Sequence, residues 1–181
     1  KFFFNAFYMF GKKIIDIIPD IKSQDKLNRE KMPDSEKIIG LPINRDDSIY
    51  IDEAKKYVDK YFPNNCGTTD DFIFPISHHS AKRWLKDFLK HKLKKFGKYQ
   101  DSIHQEKSSL YHSCLSSSIN IGLLNPLEII DKIKSYKNKV PLASYEGYIR
   151  QLFWREYQRL CYIYCDFDHK NYFGNKKKLN K

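Results

Sequence analysis

Six consecutive residues, Ser113-Cys114-Leu115-Ser116-Ser117-Ser118, bring hydroxyls together just where a short helix is expected to begin. Free backbone N–H groups and side-chain donors at a helix start can cradle a phosphate, and the helix dipole adds positive potential. Serines at such a place also serve as plain caps, which is their commoner use. A second set is Tyr148, Gln151 and Arg155. Gln151 and Arg155 stand four apart and share a helix face, as do Arg155 and Arg159, while Tyr148 lies one turn earlier. A ring, an amide and a guanidinium on one face can recognise a planar heterocycle that carries phosphate. The plainer alternative pairs Arg155 with a neighbouring carboxylate and puts Trp154 in the core.

Other reactive residue types form no working set. Cys161 and Cys165 are four apart and could offer two thiolates to a metal. Cys66 and Cys114 make no matching second pair, so buried free thiols are the better reading. His78 and His79 diverge by about 100° around a helix and read as surface or capping residues. There is no P-loop, dinucleotide glycine fingerprint or nucleophile elbow.

The elements that must position these residues read as helices. Phe3, Phe7, Phe10, Ile14 and Ile17 recur at near-helical spacing over about 2–17, with Gly11 weakening that helix and Pro19 closing it. Residues 19–48 are polar and carry three prolines, a long connection. Asp46-Asp47-Ser48 caps a helix over about 49–61 with an apolar stripe of Ile51, Ala54, Val58 and Tyr61. Ser77 caps a strong helix over about 78–96 that buries Ala81, Trp84, Leu85, Phe88, Leu89 and Phe96, and Gly97 stops it. Ser116 opens a short helix leading to Gly122, and Pro126 sits in the first turn of a helix over about 126–137. Ser144 caps a last helix over about 145–165 that buries Ile149, Leu152, Phe153, Leu160 and Tyr164. No stretch alternates as a strand, so the expected fold class is all-α.

Composition narrows the functions. The 181 residues are 41% hydrophobic and 15% aromatic, with only seven glycines, which fits a folded helical domain. Net charge is +11, and 27 of the 33 basic residues are lysine. Such a surface suits a polyanion such as DNA, and equally fits a lysine-rich composition with no specific partner. No apolar run approaches the roughly 18 residues of a membrane span, so no membrane partner is expected. The aromatic opening segment reads as a helix of the fold rather than a signal sequence. Four cysteines without a disulfide pattern point to a reducing, intracellular compartment.

Several segments, in order and spacing, resemble the deoxyribodipyrimidine photolyase-related family, the branch of the photolyase/cryptochrome superfamily that includes bacterial iron–sulfur (6-4) photolyases. They are residues 7–15, 23–33, Phe74-Pro75-Ile76-Ser77, Phe96-Gly97-Lys98-Tyr99-Gln100-Asp101, Leu110 to Ser116 with Asn120 to Leu124, and Pro141 to Tyr157. The resemblance implies a partial helical FAD-binding domain. It makes residues 1–48 a linker helix and loop, 49–170 the first half of the flavin domain, and 171–181 a basic tail. It further implies that Ser113, Leu115 and Ser116 hold the FAD phosphates, with Tyr99 near them. Tyr148, Gln151 and Arg155 would touch the flavin cofactor, and Trp154 would lie near a DNA lesion. The implied ancestral activity is FAD-dependent, light-driven repair of UV-damaged DNA, whether pyrimidine dimers or (6-4) photoproducts.

Departures temper these expectations. Ser117 stands where the family has proline, Lys22 replaces a tryptophan, and one residue is missing between Gln151 and Trp154. That deletion turns Trp154 and Arg155 by about 100° relative to Gln151. The antenna domain and the later half of the flavin domain are not in the chain, and none of the four cysteines matches an iron–sulfur ligand. The resemblance therefore implies an incomplete photolyase, whether an excerpt, a split gene product with a separately encoded remainder as partner or a decayed remnant; the alternative is a catalytically inactive truncated remnant acting as a basic helical module that binds nucleic acid.

Overall fold

The computed structural model describes residues 3–15, 30–43 and 48–164. These form seven α-helices: α1 Phe4–Ile15, α2 Ser48–Tyr61, α3 His78–Asp87, α4 Leu93–Tyr99, α5 Ser116–Asn120, α6 Pro126–Lys134 and α7 Leu142–Tyr164. A π-helical turn, Phe88–Lys92, joins α3 to α4. No strand occurs among the described residues, and the fold is all-α as the periodicity predicts. Two compact units are drawn from residues 1–22 with 148–181, and from residues 23–147.

In the larger unit the helix that begins after Ser77 supplies most of the core. Ser77 caps it through a reciprocal capping box with Ser80. Ala81, Trp84, Leu85, Phe88, Leu89 and Phe96 are all buried, as the stripe predicts. The expected single helix over 78–96 is interrupted by the π turn, which widens the buried arc so that consecutive Lys92 and Leu93 both lie inside. Gly97 does not end the helix. It sits within α4, where a Cβ would lie 2.6 Å from the Ala143 carbonyl carbon and the Ser144 nitrogen. Glycine is there because α7 backbone passes against it. Ser144 correspondingly lies inside α7 rather than capping it, and its Oγ joins the Gly97 N–H (2.9 Å) and the Lys94 carbonyl (3.0 Å).

Residues 30–43 form a non-helical strap over α4, as a proline-bearing connection should. Met32 packs with Tyr99, Leu110 and Tyr111, and Ile38 joins that cluster. Glu30 pairs with Lys98 (3.0 Å), and Glu36 takes hydrogen bonds from Lys95 and Tyr111. These bonds hold the Glu36 carboxyl below its ordinary range, the one from Lys95 most strongly. Asn125 caps α6, which carries Pro126 in its first turn and ends at Lys134, earlier than expected. Helix α2 matches its expected span but buries no residue. Its stripe instead lines an apolar groove of about 460 Å³ with Phe72, Phe74 and Ile76.

In the smaller unit α1 buries Phe4, Tyr8, Gly11 and Lys12, not the expected stripe. Phe3, Phe10 and Ile14 are exposed. The reason is aromatic packing on α7. The Phe4 ring stacks on Trp154 at 3.6 Å, Tyr8 meets Phe153 edge-on at 5.4 Å, and Gly11 admits the Phe153 ring where a Cβ would be only 2.0 Å away. Ile149, Leu152 and Phe153 are buried as predicted, whereas Leu160 is half-buried and Tyr164 exposed. The expectations for Ile17, Pro19, Lys22, residues 23–29, Asp46, Asp47, Cys165 and the basic tail lie outside the described residues.

Candidate phosphate loop and helix face

The serine-rich segment folds as a tight loop running into α5. The Trp84 indole N–H donates to the Ser113 carbonyl at 3.0 Å, which fixes the loop on the core helix. Cys114 then takes a left-handed backbone with φ 51°, unusual for a residue with a side chain. Leu115 is fully buried and precedes α5 without a side-chain cap. Ser113 is half-buried and Ser116 exposed, while Leu115 anchors the loop. Helix α5 has only five residues, too few for a helix dipole to contribute much, which removes that part of the sequence argument.

Behind the loop the environment is polar and incompletely satisfied. Lys92 is 1% exposed, and its Nζ has no hydrogen-bond partner; the Ser117 and Ser118 hydroxyls are buried without one as well. Burial pushes the Lys92 ammonium below the ordinary lysine range, and Cys114 and Asp87 act in the opposite sense. Burial pushes the Cys114 thiol up, with Lys92 opposing. Sequence reading missed Lys92. Its signal was a charged residue at a core position of the apolar stripe, three after Leu89 and four after Phe88.

Tyr99 belongs to the same unit, but its ring is core. It is 3% exposed and stacks on Tyr111 with centroids 5.5 Å apart. His78 Nδ1 lies 2.9 Å from the Leu123 carbonyl, a structural partner rather than a metal. No cluster of three metal-ligating side chains occurs among the described residues.

The other set lies on α7 in the smaller unit. Tyr148 is buried and Gln151 exposed. Arg155 pairs with Glu156, which also holds Arg159 at 2.9 Å, so the plainer pairing alternative is realised. Trp154 is half-buried against Phe4, and Arg150 lies over the Phe4 ring at 5.1 Å. Such a face still offers an amide and a guanidinium edge.

No family model matches the chain. The (6-4) photolyase of Agrobacterium fabrum is 36% identical over 127 residues, 67% of this chain and 25% of that protein. The chain belongs to a photolyase-related family. An uncharacterized protein of Acanthamoeba polyphaga mimivirus is 44% identical over 87 residues, 46% of this chain and 67% of its own length. The chain thus spans a quarter of the photolyase that it matches. Among the described residues no helix is long and apolar enough to cross a membrane.

Proposed function

We propose that the chain is a flavin-domain segment of (6-4) photolyase type, whose loop Ser113–Ser116 binds the phosphates of FAD. The observation that carries this reading is the 36% identity over 127 residues to a (6-4) photolyase. The loop supports it chemically: an exposed Ser116, a left-handed backbone at Cys114 beside the carbonyl that Trp84 holds, and a buried cation that acts on Cys114 suit an oxyanion. Ser113 and Ser116 would donate to phosphate oxygens, and Leu115 would hold the loop in shape. Independently of that loop, Tyr148, Gln151 and Arg155 would touch the flavin cofactor, as the resemblance implies. FAD, when bound, supplies the light absorption and redox chemistry; the residues here bind and orient it. Light-driven repair of damaged DNA belongs to the proposal at one step further, with Trp154 as its DNA-facing residue. Titration of the purified chain with FAD, followed by flavin fluorescence, tests the reading. Saturable binding that pyrophosphate displaces, and that Ser113→Ala with Ser116→Ala weakens about tenfold, is expected; no binding rejects it.

The charge distribution favours a second reading, a basic nucleic-acid-binding module. Lys82, Arg83, Lys86, Lys90 and Lys94 are exposed along α3, the π turn and α4. DNA affinity that falls steeply with salt is expected if these residues contact phosphates. Absent or salt-independent binding counts against it.

A further inference from the structure

The side chain least expected in the core is Lys92. It is 1% exposed, and its ammonium lacks a hydrogen bond. An isolated buried ammonium is costly, and it persists where something on offer compensates. The backbone around it is irregular on both sides. Lys92 closes the π-helical turn with φ −115°, and Cys114, with which it interacts electrostatically, holds φ 51° in the loop. π turns within helices are frequent at functional sites.

The neighbours of Lys92 provide little negative charge. Cys114, the loop residue that it acts on electrostatically, is a half-buried thiol whose titration desolvation pushes up. Asp87, on the same helix, is shared with His91 at 3.9 Å. His112, at the start of the loop, is engaged with the Gln100 carbonyl at 2.9 Å. The Ser117 and Ser118 hydroxyls, at the far end of the loop, are buried donors without acceptors. A buried cation that acts on Cys114 and two buried, unsatisfied hydroxyls therefore accompany a loop on which Ser116 is exposed. The complementary ligand is an oxyanion of phosphate type.

We infer that Lys92 is a positioning residue: its buried ammonium is the counter-charge for a phosphate-type oxyanion held on the outer side of the 113–118 loop, and anion binding is linked to protonation of Lys92. This rests on the phosphate-loop reading above. Lys92 acts through the loop, because its Nζ is itself buried from solvent. With the anion absent, burial favours the neutral amine; with it present, the ammonium is favoured. Affinity therefore falls as pH rises through the Lys92 titration, and binding takes up a proton in that window. The groups that act electrostatically on Lys92 are Cys114 and Asp87, with His91 beside it in sequence and His112 opening the loop, and the Cys114 thiol is the one pushed toward alkaline pH.

The experiment titrates the full chain with FAD, riboflavin and inorganic pyrophosphate from about pH 6 to about pH 10, in wild type, Lys92→Met, Lys92→Arg and Cys114→Ala. Wild type is expected to bind FAD and pyrophosphate with affinity that declines toward alkaline pH, while phosphate-free riboflavin shows no such decline. A guanidinium does not titrate, so Lys92→Arg should keep the affinity and lose the pH dependence. Lys92→Met should lose about tenfold or more and also become flat. Cys114→Ala should keep the decline, which assigns it to the amine rather than the thiol. Pyrophosphate alone reports free phosphate, and a preference for FAD reports a cofactor phosphate. If Lys92→Met binds with the wild-type profile, the inference is overturned and the loop reading stands. If wild type binds neither FAD nor pyrophosphate, both are overturned.

Discussion

Lys92 and Gly97 stand five residues apart in the same helical run and answer opposite demands. Lys92 introduces a charge into the core at a cost, so its removal should stabilise the chain. Lys92→Met is expected to raise unfolding free energy at neutral pH by about 1 kcal/mol or more, from the desolvation relieved. The sign with pH is fixed by the lowered titration of the folded lysine. Between that value and the ordinary one, the unfolded chain binds a proton that the folded chain has released. Wild-type stability therefore rises with pH across this window, and the advantage of the methionine variant shrinks. Urea denaturation of both proteins at neutral and alkaline pH measures it. Gly97→Ala acts through space alone. The new methyl group meets α7 backbone, which cannot rotate aside, and about 1–3 kcal/mol should be lost. The contact at Gly11 involves a phenylalanine ring, which has more freedom to yield, so Gly11→Ala should cost less in the same denaturation assay.

At the scale of elements, one carboxylate in the middle of the strap over α4 takes two hydrogen bonds, besides the Glu30 pair and the Met32 packing. Lys95 and Tyr111 both donate to Glu36, and its depressed titration means that the contribution is present above the unfolded value and lost as pH falls through the folded one. Amide exchange across residues 30–43 should accelerate on acidification in wild type. Glu36→Gln should exchange faster than wild type around residue 36 already at neutral pH and show a smaller acid step there, while Glu30 and Met32 still hold the strap. The helices themselves were largely legible in the sequence. The Ser77 cap, the buried set from Ala81 to Phe96 and the proline at the start of α6 follow from local chemistry. Three features were not legible, because they depend on what arrives from elsewhere in the chain. Gly97 reads as a helix stop until α7 is seen lying on it. Ser144 reads as a cap until its hydroxyl is seen bridging to α4. The α1 stripe could be drawn through Phe3 or Phe4, and only the Trp154 ring decides for Phe4. The phosphate loop was legible as a motif, whereas the buried lysine behind it was not, since charged residues within an apolar stripe are ordinarily turned outward.

For the molecule as a whole, two surfaces of opposite character coexist. Net charge of +11 repels one copy from another in dilute buffer. Yet Ile49 is 78% exposed, Tyr50 69%, Tyr57 57% and Tyr61 56%, all on the helix that buries nothing. Added salt screens the first effect and leaves the second intact. The consequence is colloidal: solubility of the isolated chain should pass from charge-limited to patch-limited as ionic strength rises. Ile49→Lys should then raise the concentration at which light scattering appears in high salt, while leaving the thermal midpoint within about a degree or two, because a solvent-facing side chain off the core contributes little to stability. The helix that does least for the fold would thereby govern how the protein behaves in a test tube.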